Sequence, residues 1–283
     1  MSTQRDAVDR IRRTTTVWRC GGLALGLLAA AAGVALDPLG RGMILAAPVL
    51  GLGAVIGTLA GELTAGTPVP TTRRAALVVR RAGDYVPRRL ASAVAVATAA
   101  LAALLVATTL AGSPDDRGRA GRVLLGHHAV TGGQVHTRSL PGLLAPHETS
   151  AYSPWIGSYY SVPLAVVVAV GLLWAGFTLH RIVRRSRPGD PATTGAADDR
   201  LRSGSARVVL GACGVLVTPP LLVTSALTAV GLLSVAGHPL SWTVAAWTLV
   251  VLMPLWLVLL LGSALAVVRP FPTPRDRFEQ GPA

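Results

Sequence analysis

The sequence contains no lysine: all 26 of its basic residues are arginine, against 13 acidic residues. Only 14% of its 283 residues are charged, whereas soluble domains average about 25%. So few charged side chains cannot cover the surface of a water-soluble domain of this length. The composition therefore excludes an ordinary soluble protein and favours one surrounded by lipid.

Catalytic and metal-binding motifs are also missing. The two cysteines, Cys20 and Cys213, lie in separate apolar runs and offer neither a disulfide framework nor a zinc-ligand spacing. There is no HExxH, no GxSxG and no P-loop sequence. Ser234 and His238 have the spacing of a nucleophile and a base on one helical face, but no carboxylate is placed to orient them. We predict no catalytic residue and no cofactor, and hence a protein that is not an enzyme.

The centres of the apolar runs contain no Asp, Glu or Arg, since Glu62 and His180 stand at run ends. Charged residues inside a membrane usually mark proton relays and ion-coupled transport sites. This absence disfavours a proton- or sodium-driven transporter, although carbonyl and hydroxyl oxygens can still bind an ion.

Six apolar runs are present, each close to the ~20 residues that a helix needs to cross a bilayer. We predict an all-α polytopic membrane protein that forms a single membrane domain. Its six transmembrane helices are expected at residues 17–36, 43–60, 90–111, 162–179, 208–236 and 242–268.

The arginines predict the orientation of these helices. Cytoplasmic connections carry an excess of basic residues. Placing the N-terminus, residues 61–89, residues 181–207 and the C-terminal tail inside puts 21 arginines there and 5 outside. We therefore expect both termini in the cytoplasm, an extracytoplasmic loop at 112–161 and a location in the plasma membrane. The net charge of +13 is then explained by anionic inner-leaflet lipid, and no nucleic acid partner is predicted.

The connection at 61–89 carries three arginine pairs. On a helix, Arg73, Arg80 and Arg88 fall in one sector and Ala75 and Val79 fall opposite, which describes a basic amphipathic helix. Two uses stay open, namely lying on anionic lipid and docking a cytosolic protein. The predicted contact residues are Arg73, Arg74, Arg80, Arg81, Arg88 and Arg89.

The apolar runs contain glycines and prolines at positions that predict close helix contacts and a kink or break. Gly22 and Gly26, and the tandem Gly53, Gly57 and Gly61, have the GxxxG spacing that lets helices approach closely, within the bundle or in a homo-oligomer. Proline removes a helical hydrogen bond, so the pair Pro219 and Pro220 is expected to kink or break the fifth helix. Two readings stay open for this point, a simple kink and a functional break of the kind that transporters use.

The predicted extracytoplasmic loop holds four of the six histidines. Imidazole is a common ligand of zinc and copper. The spacing HH-x7-H-x10-H matches no standard metal site, so a solvated, partly disordered loop is the alternative that we favour. The metal-ligand candidates are His127, His128, His136 and His147.

Three stretches resemble uncharacterised multi-pass membrane proteins of high-GC Gram-positive (actinobacterial-type) bacteria. They are RRAALVVRRAGDYVPRRL at 73–90, SPWIGSYYSVPLA at 153–165, and RIVRRSRPGD with ADDRLRSGSAR between 181 and 207. The resemblance implies a plasma-membrane protein and transfers no functional residue. We expect a non-enzymatic membrane subunit or accessory protein. The alternative is a transporter similar to the permease subunits of ABC-2-type exporters, which work with a separate ATPase.

Overall fold

The computed structural model describes residues 2–36, 41–64, 86–115, 117–127, 149–184, 191–235 and 238–268. Six helices of these ranges are long and apolar enough to cross a membrane, which confirms the predicted all-helical bundle. The helices are α1 (Ser2–Leu36), α2 (Arg41–Thr64), α3 (Arg88–Ala111), α4 (Ser158–Arg184), α5 (Pro191–Ser234) and α6 (Leu240–Val268).

Several helices extend beyond the predicted apolar runs. The first predicted run starts at residue 17, but helix α1 already begins at Ser2. The connection expected at 181–207 is mostly helical, because α4 continues to Arg184 and α5 already begins at Pro191. Proline is favoured in the first turn of a helix, where its missing N–H has no partner to lose. Hydropathy detects only the part of a helix that lies in lipid, so the polar extensions of α4 and α5 were not predicted.

Helix α5 lies at the centre of the bundle. It packs against α2, α3, α4 and α6, and 72% of its most apolar window is buried, compared with 17% to 44% in the other five spans. Its Leu216 and Leu221 are almost fully buried, and Leu221 joins Leu101 of α3 and Leu164 of α4 in one apolar core. The bundle is therefore built around a single central helix.

The outward faces of the helices are apolar. On α6, the exposed positions include Val244, Trp247, Val251, Leu255 and Val258, which recur at helical spacing. In water such a stripe would be an unusually large exposed apolar surface. In a bilayer it meets lipid chains, so these faces fit a multi-pass membrane protein.

Helices α1 and α2 pack through their glycines. A Cβ on Gly57 would lie 2.6 Å from the carbonyl oxygen of Trp18, and a Cβ on Gly26 would lie 2.9 Å from that of Leu50. One on Gly22 would clash with the backbone of Gly53. The predicted GxxxG spacing thus serves contact within the chain. A homo-oligomer would need a different surface.

The two ends of the bundle differ. One end, here called the cap end, contains the end of α1, the start of α2, the connection from α3 to α4 and the end of α5. The other, here called the base end, contains the end of α2, the start of α3, the end of α4, residues 202–207 of α5 and the end of α6. Contacts between Gly33 and Gly42 at the cap end, and between Thr15 and Gly61 at the base end, define the two ends.

The connection between α3 and α4 contains a small hairpin in its described part, whereas the solvated, partly disordered loop stays a prediction for the rest of residues 112–161. Strand β1 (Leu124–His127) pairs antiparallel with β2 (Thr149–Tyr152). Below this hairpin, Leu124, Trp155 and Val235 form a small apolar cluster. The indole Nε1 of Trp155 donates a hydrogen bond of 2.8 Å to the carbonyl oxygen of Thr108. The hairpin is thereby fixed to the bundle.

Candidate functional site

A buried arginine joins α5 to the end of α4. The side chain of Arg202 is 2% exposed, and its Nη1 donates to the carbonyl oxygens of Ile182 (3.2 Å) and Val183 (3.0 Å). These carbonyls lie in the last described turn of α4. A cation near the carbonyl end of a helix is favoured by the helix dipole. Arg202 therefore joins this end of α4 to the neighbouring helix.

A second polar contact joins α5 to the end of α2. The hydroxyl of Ser205 donates to Oε1 of Glu62 at 2.7 Å. The guanidinium of Arg19 on α1 interacts electrostatically with Glu62, and its Nε is buried without a hydrogen-bond partner among the described residues. Glu62 thus links three helices at the base end. Hydropathy places it at the end of a run but gives no sign of these partners.

Both arginine-rich connections emerge from this base end. The connection after Thr64 leads to α3, whose first residues Arg88 and Arg89 are exposed. The connection after Arg184 leads to α5. Four of the predicted contact residues, Arg73, Arg74, Arg80 and Arg81, lie outside the described residues, so their helix stays a prediction.

The centre of α5 contains both prolines, but the helix runs through them from Pro191 to Ser234. The interruption that we expected at Pro219 and Pro220 does not occur, and the kink stays a prediction. The apolar part of α5 spans Arg202–Ser234, so the prolines lie near its midpoint. Because proline has no N–H, the carbonyls four residues earlier have no donor in the helix. These are the carbonyls of the buried residues Val215 and Leu216.

Hydroxyl groups surround the proline pair but do not reach those two carbonyls. Thr218 donates to the carbonyl of Gly214, and Thr224 donates to that of Pro220, each at 2.7 Å. Ser225 and Thr228 are 1% and 3% exposed, and their hydroxyls have no hydrogen-bond partner in the described part of the chain. The buried part of α5 therefore contains two hydroxyl oxygens, those of Ser225 and Thr228, without a hydrogen-bond partner among the described residues.

At the cap end, Asp115 organises the first part of the connection. Its carboxylate accepts hydrogen bonds from the backbone N–H groups of Arg117 (3.0 Å) and Arg119 (2.8 Å), and it forms ion pairs with Arg119 (2.8 Å) and Arg122 (3.4 Å). Burial alone would raise the pKa of Asp115, but the hydrogen bonds and the charge of Arg119 outweigh it and hold the pKa below its usual value. This carboxylate is ionised at neutral pH.

The described residues include one of the metal candidates and both nucleophile candidates. Of the predicted ligands, His127 ends strand β1, and His128, His136 and His147 lie outside the described residues. Within the described ranges there is no group of three side chains that could hold a metal ion. Ser234 donates to the carbonyl of Val230, and Nδ1 of His238 lies 2.8 Å from that of Val235. Each is thus bound to backbone rather than to the other.

Comparison with protein families, with curated protein sequences and with solved structures finds no match to this chain. The resemblance to bacterial multi-pass proteins therefore stays a prediction, and function must be argued from the contacts described above.

Proposed function

We propose that this chain is a multi-pass protein of the cell membrane, a non-enzymatic subunit whose base end faces the cytoplasm and binds anionic lipid and a soluble protein partner. The contacts of Arg202 and Glu62 carry this proposal. They join the ends of α2 and α4 to residues 202–205 of α5, close to where both arginine-rich connections leave α2 and α4. Both connections therefore start from helix ends that hydrogen bonds hold together, rather than from separate helix ends.

The charge of the base end supports a negatively charged partner. Glu62, the carboxylate at the described end of α2, is already engaged by Ser205. Several other arginines of the base end are exposed, and surface arginines attract lipid phosphates and the carboxylates of proteins. The exposed ones are Arg13, Arg88, Arg89, Arg181, Arg184 and Arg207.

The proposal predicts that a partner is lost when base-end charge is removed. We expect a soluble protein to co-purify with the full chain from native membranes in mild detergent, and the double change Arg181→Gln and Arg184→Gln to lower its recovery. Two exposed ion pairs together contribute about 1.4 kcal/mol, which corresponds to roughly tenfold in affinity. Quantitative mass spectrometry of the purified complex measures the recovery.

The matched control removes the same charge at the other end of the bundle, through Arg41→Gln and Arg117→Gln, and should leave recovery unchanged. Equal loss in both double variants would show that the association is non-specific. Purification of a single species from wild-type membranes would also contradict the partner proposal. If the partner is an ATPase, the protein belongs with permease subunits.

Transport is the second candidate function. The prolines near the midpoint of α5 leave two buried carbonyls without helical donors, and the hydroxyls of Ser225 and Thr228 have no partner among the described residues. Oxygen atoms of this kind near the middle of a membrane bind substrates and ions in transporters. This feature favours transport over other uses of the bundle core. Binding of a substrate or ion by such oxygen atoms does not require the charged residues that proton coupling needs.

A further inference from the structure

Two arginines converge on Tyr159, in the first turn of α4 at the cap end. The guanidinium carbon of Arg41, the first residue of α2, lies 3.5 Å from the centre of the Tyr159 ring. That of Arg122 lies 5.1 Å from the same ring and 5.8 Å from that of Tyr160. Cation–π contacts of this kind orient a guanidinium group without using its N–H donors. The N–H donors of the exposed Arg41 therefore stay available to a ligand.

The cluster carries more positive than negative charge. Arg119 and Arg122 share the carboxylate of Asp115, and Arg41 adds a third guanidinium group. Among the described residues of this cluster, three cations therefore face one carboxylate. The Nε of Arg122 is buried without a hydrogen-bond partner in the same described part, whereas Arg41 is exposed. An anion that approaches from the surface would therefore meet positive charge that no described carboxylate balances.

Helix α4 starts beside the arginines. It begins at Ser158, and the contact between Arg41 and Tyr159 holds a guanidinium group close to this start. The first N–H groups of a helix carry partial positive charge and favour phosphate. The start of α4 thus adds to the charge of the guanidinium groups.

The position of the cluster selects a lipid rather than a soluble anion. Tyr159 and Tyr160 are of the type found at the level of lipid head groups. One and two turns further along α4, Val162 and Val166 are 56% and 57% exposed, which suits contact with acyl chains. A lipid with its phosphate at Arg41 would lay its chains along these two valines.

We propose that Arg41, Arg122 and Tyr159 form a binding site for the phosphate of an anionic phospholipid in the leaflet at the cap end. Arg41 provides the accessible charge, and Arg122, held by Asp115 and the tyrosine rings, provides the fixed one. The site is independent of the base-end partner, because it lies at the opposite end of the bundle.

The test places a photo-crosslinking residue beside the proposed position of the lipid's acyl chains. The full-length protein with Val162→p-benzoylphenylalanine is reconstituted in nanodiscs of phosphatidylcholine containing phosphatidylglycerol, irradiated, and analysed by mass spectrometry. We expect crosslinks to phosphatidylglycerol well above its share of the lipid. Arg41→Gln should lower this enrichment about tenfold, since a charge-assisted hydrogen bond to phosphate contributes about 1.4 kcal/mol or more.

The control is Arg117→Gln, which removes the same charge from the cap end at an exposed side chain, and it should keep the enrichment. Equal losses in the two variants, or equal crosslinking to phosphatidylcholine, would overturn the proposal. Loss of the crosslink on addition of millimolar inorganic phosphate would overturn the lipid assignment in favour of a soluble anion. Should Val162→p-benzoylphenylalanine fail to fold, the same residue at Val166 reports on the same chains.

Discussion

Replacing Gly22 with valine is expected to separate α1 from α2 and to destabilise the protein by about 3 kcal/mol or more. A Cβ at this position would meet the backbone of Gly53 and would lie 2.5 Å from the Cα of Gly57. Backbone atoms cannot rotate away as a flexible side chain can, so the helices must move apart. That movement removes the close packing on which helix association in lipid depends.

The neighbouring glycine provides the control. A Cβ on Gly21 would meet no atom of a neighbouring described segment within 4 Å, so Gly21→Val carries the same helix-propensity cost at nearly the same depth without the clash. We expect the thermal midpoint in detergent to fall by several degrees more for Gly22→Val than for Gly21→Val. Equal midpoints would mean that the glycine stripe does not hold α1 against α2.

Replacing Arg202 with methionine is the second change for which we expect a large effect. Methionine fills a similar volume but donates no hydrogen bond, so the carbonyls of Ile182 and Val183 lose their shared partner. Hydrogen bonds from charged donors contribute about 1.5–3 kcal/mol each. We expect a loss of about 3 kcal/mol in the free energy of unfolding, with looser packing at the end of α4.

Arg207→Met is the control for this change. Arg207 lies on the same helix near the same end but is exposed, so its replacement removes the same charge without breaking an internal contact. Hydrogen exchange at residues 178–184 should rise for Arg202→Met and stay unchanged for Arg207→Met. If both variants unfold at the same temperature, Arg202 contributes no more than a surface arginine does. The claim that its hydrogen bonds hold the helices of the base end together would then be wrong.

The spans were predictable because lipid imposes length and composition on a helix. Each predicted run lies in or close to an observed helix, since about 20 apolar residues can hardly be arranged otherwise in a bilayer. The pairing of glycines was also visible as a spacing. The sequence left open whether that spacing served α1 and α2 or a second copy, because either contact needs the same small residues.

The polar contacts were not predictable. Arg202 is one of seven arginines between 181 and 207, and only the direction of its side chain in the folded helix distinguishes it from Arg207. The cap hairpin was missed because its strands are four residues each and lie far apart in the sequence without a short turn between them. Both features depend on contacts between distant segments, which a local pattern does not encode.

The placement of the base end in the cytoplasm is the central claim, because the proposed binding of anionic lipid and of a soluble partner at that end depends on it. Reporter fusions test it directly when placed after residue 75, after residue 195 and within the cap-end connection at residue 130. We expect alkaline phosphatase to be inactive and green fluorescent protein to be fluorescent at 75 and 195, with the opposite pattern at 130. Active phosphatase at 75 and 195, with a fluorescent reporter at 130, would invert the protein and contradict the account.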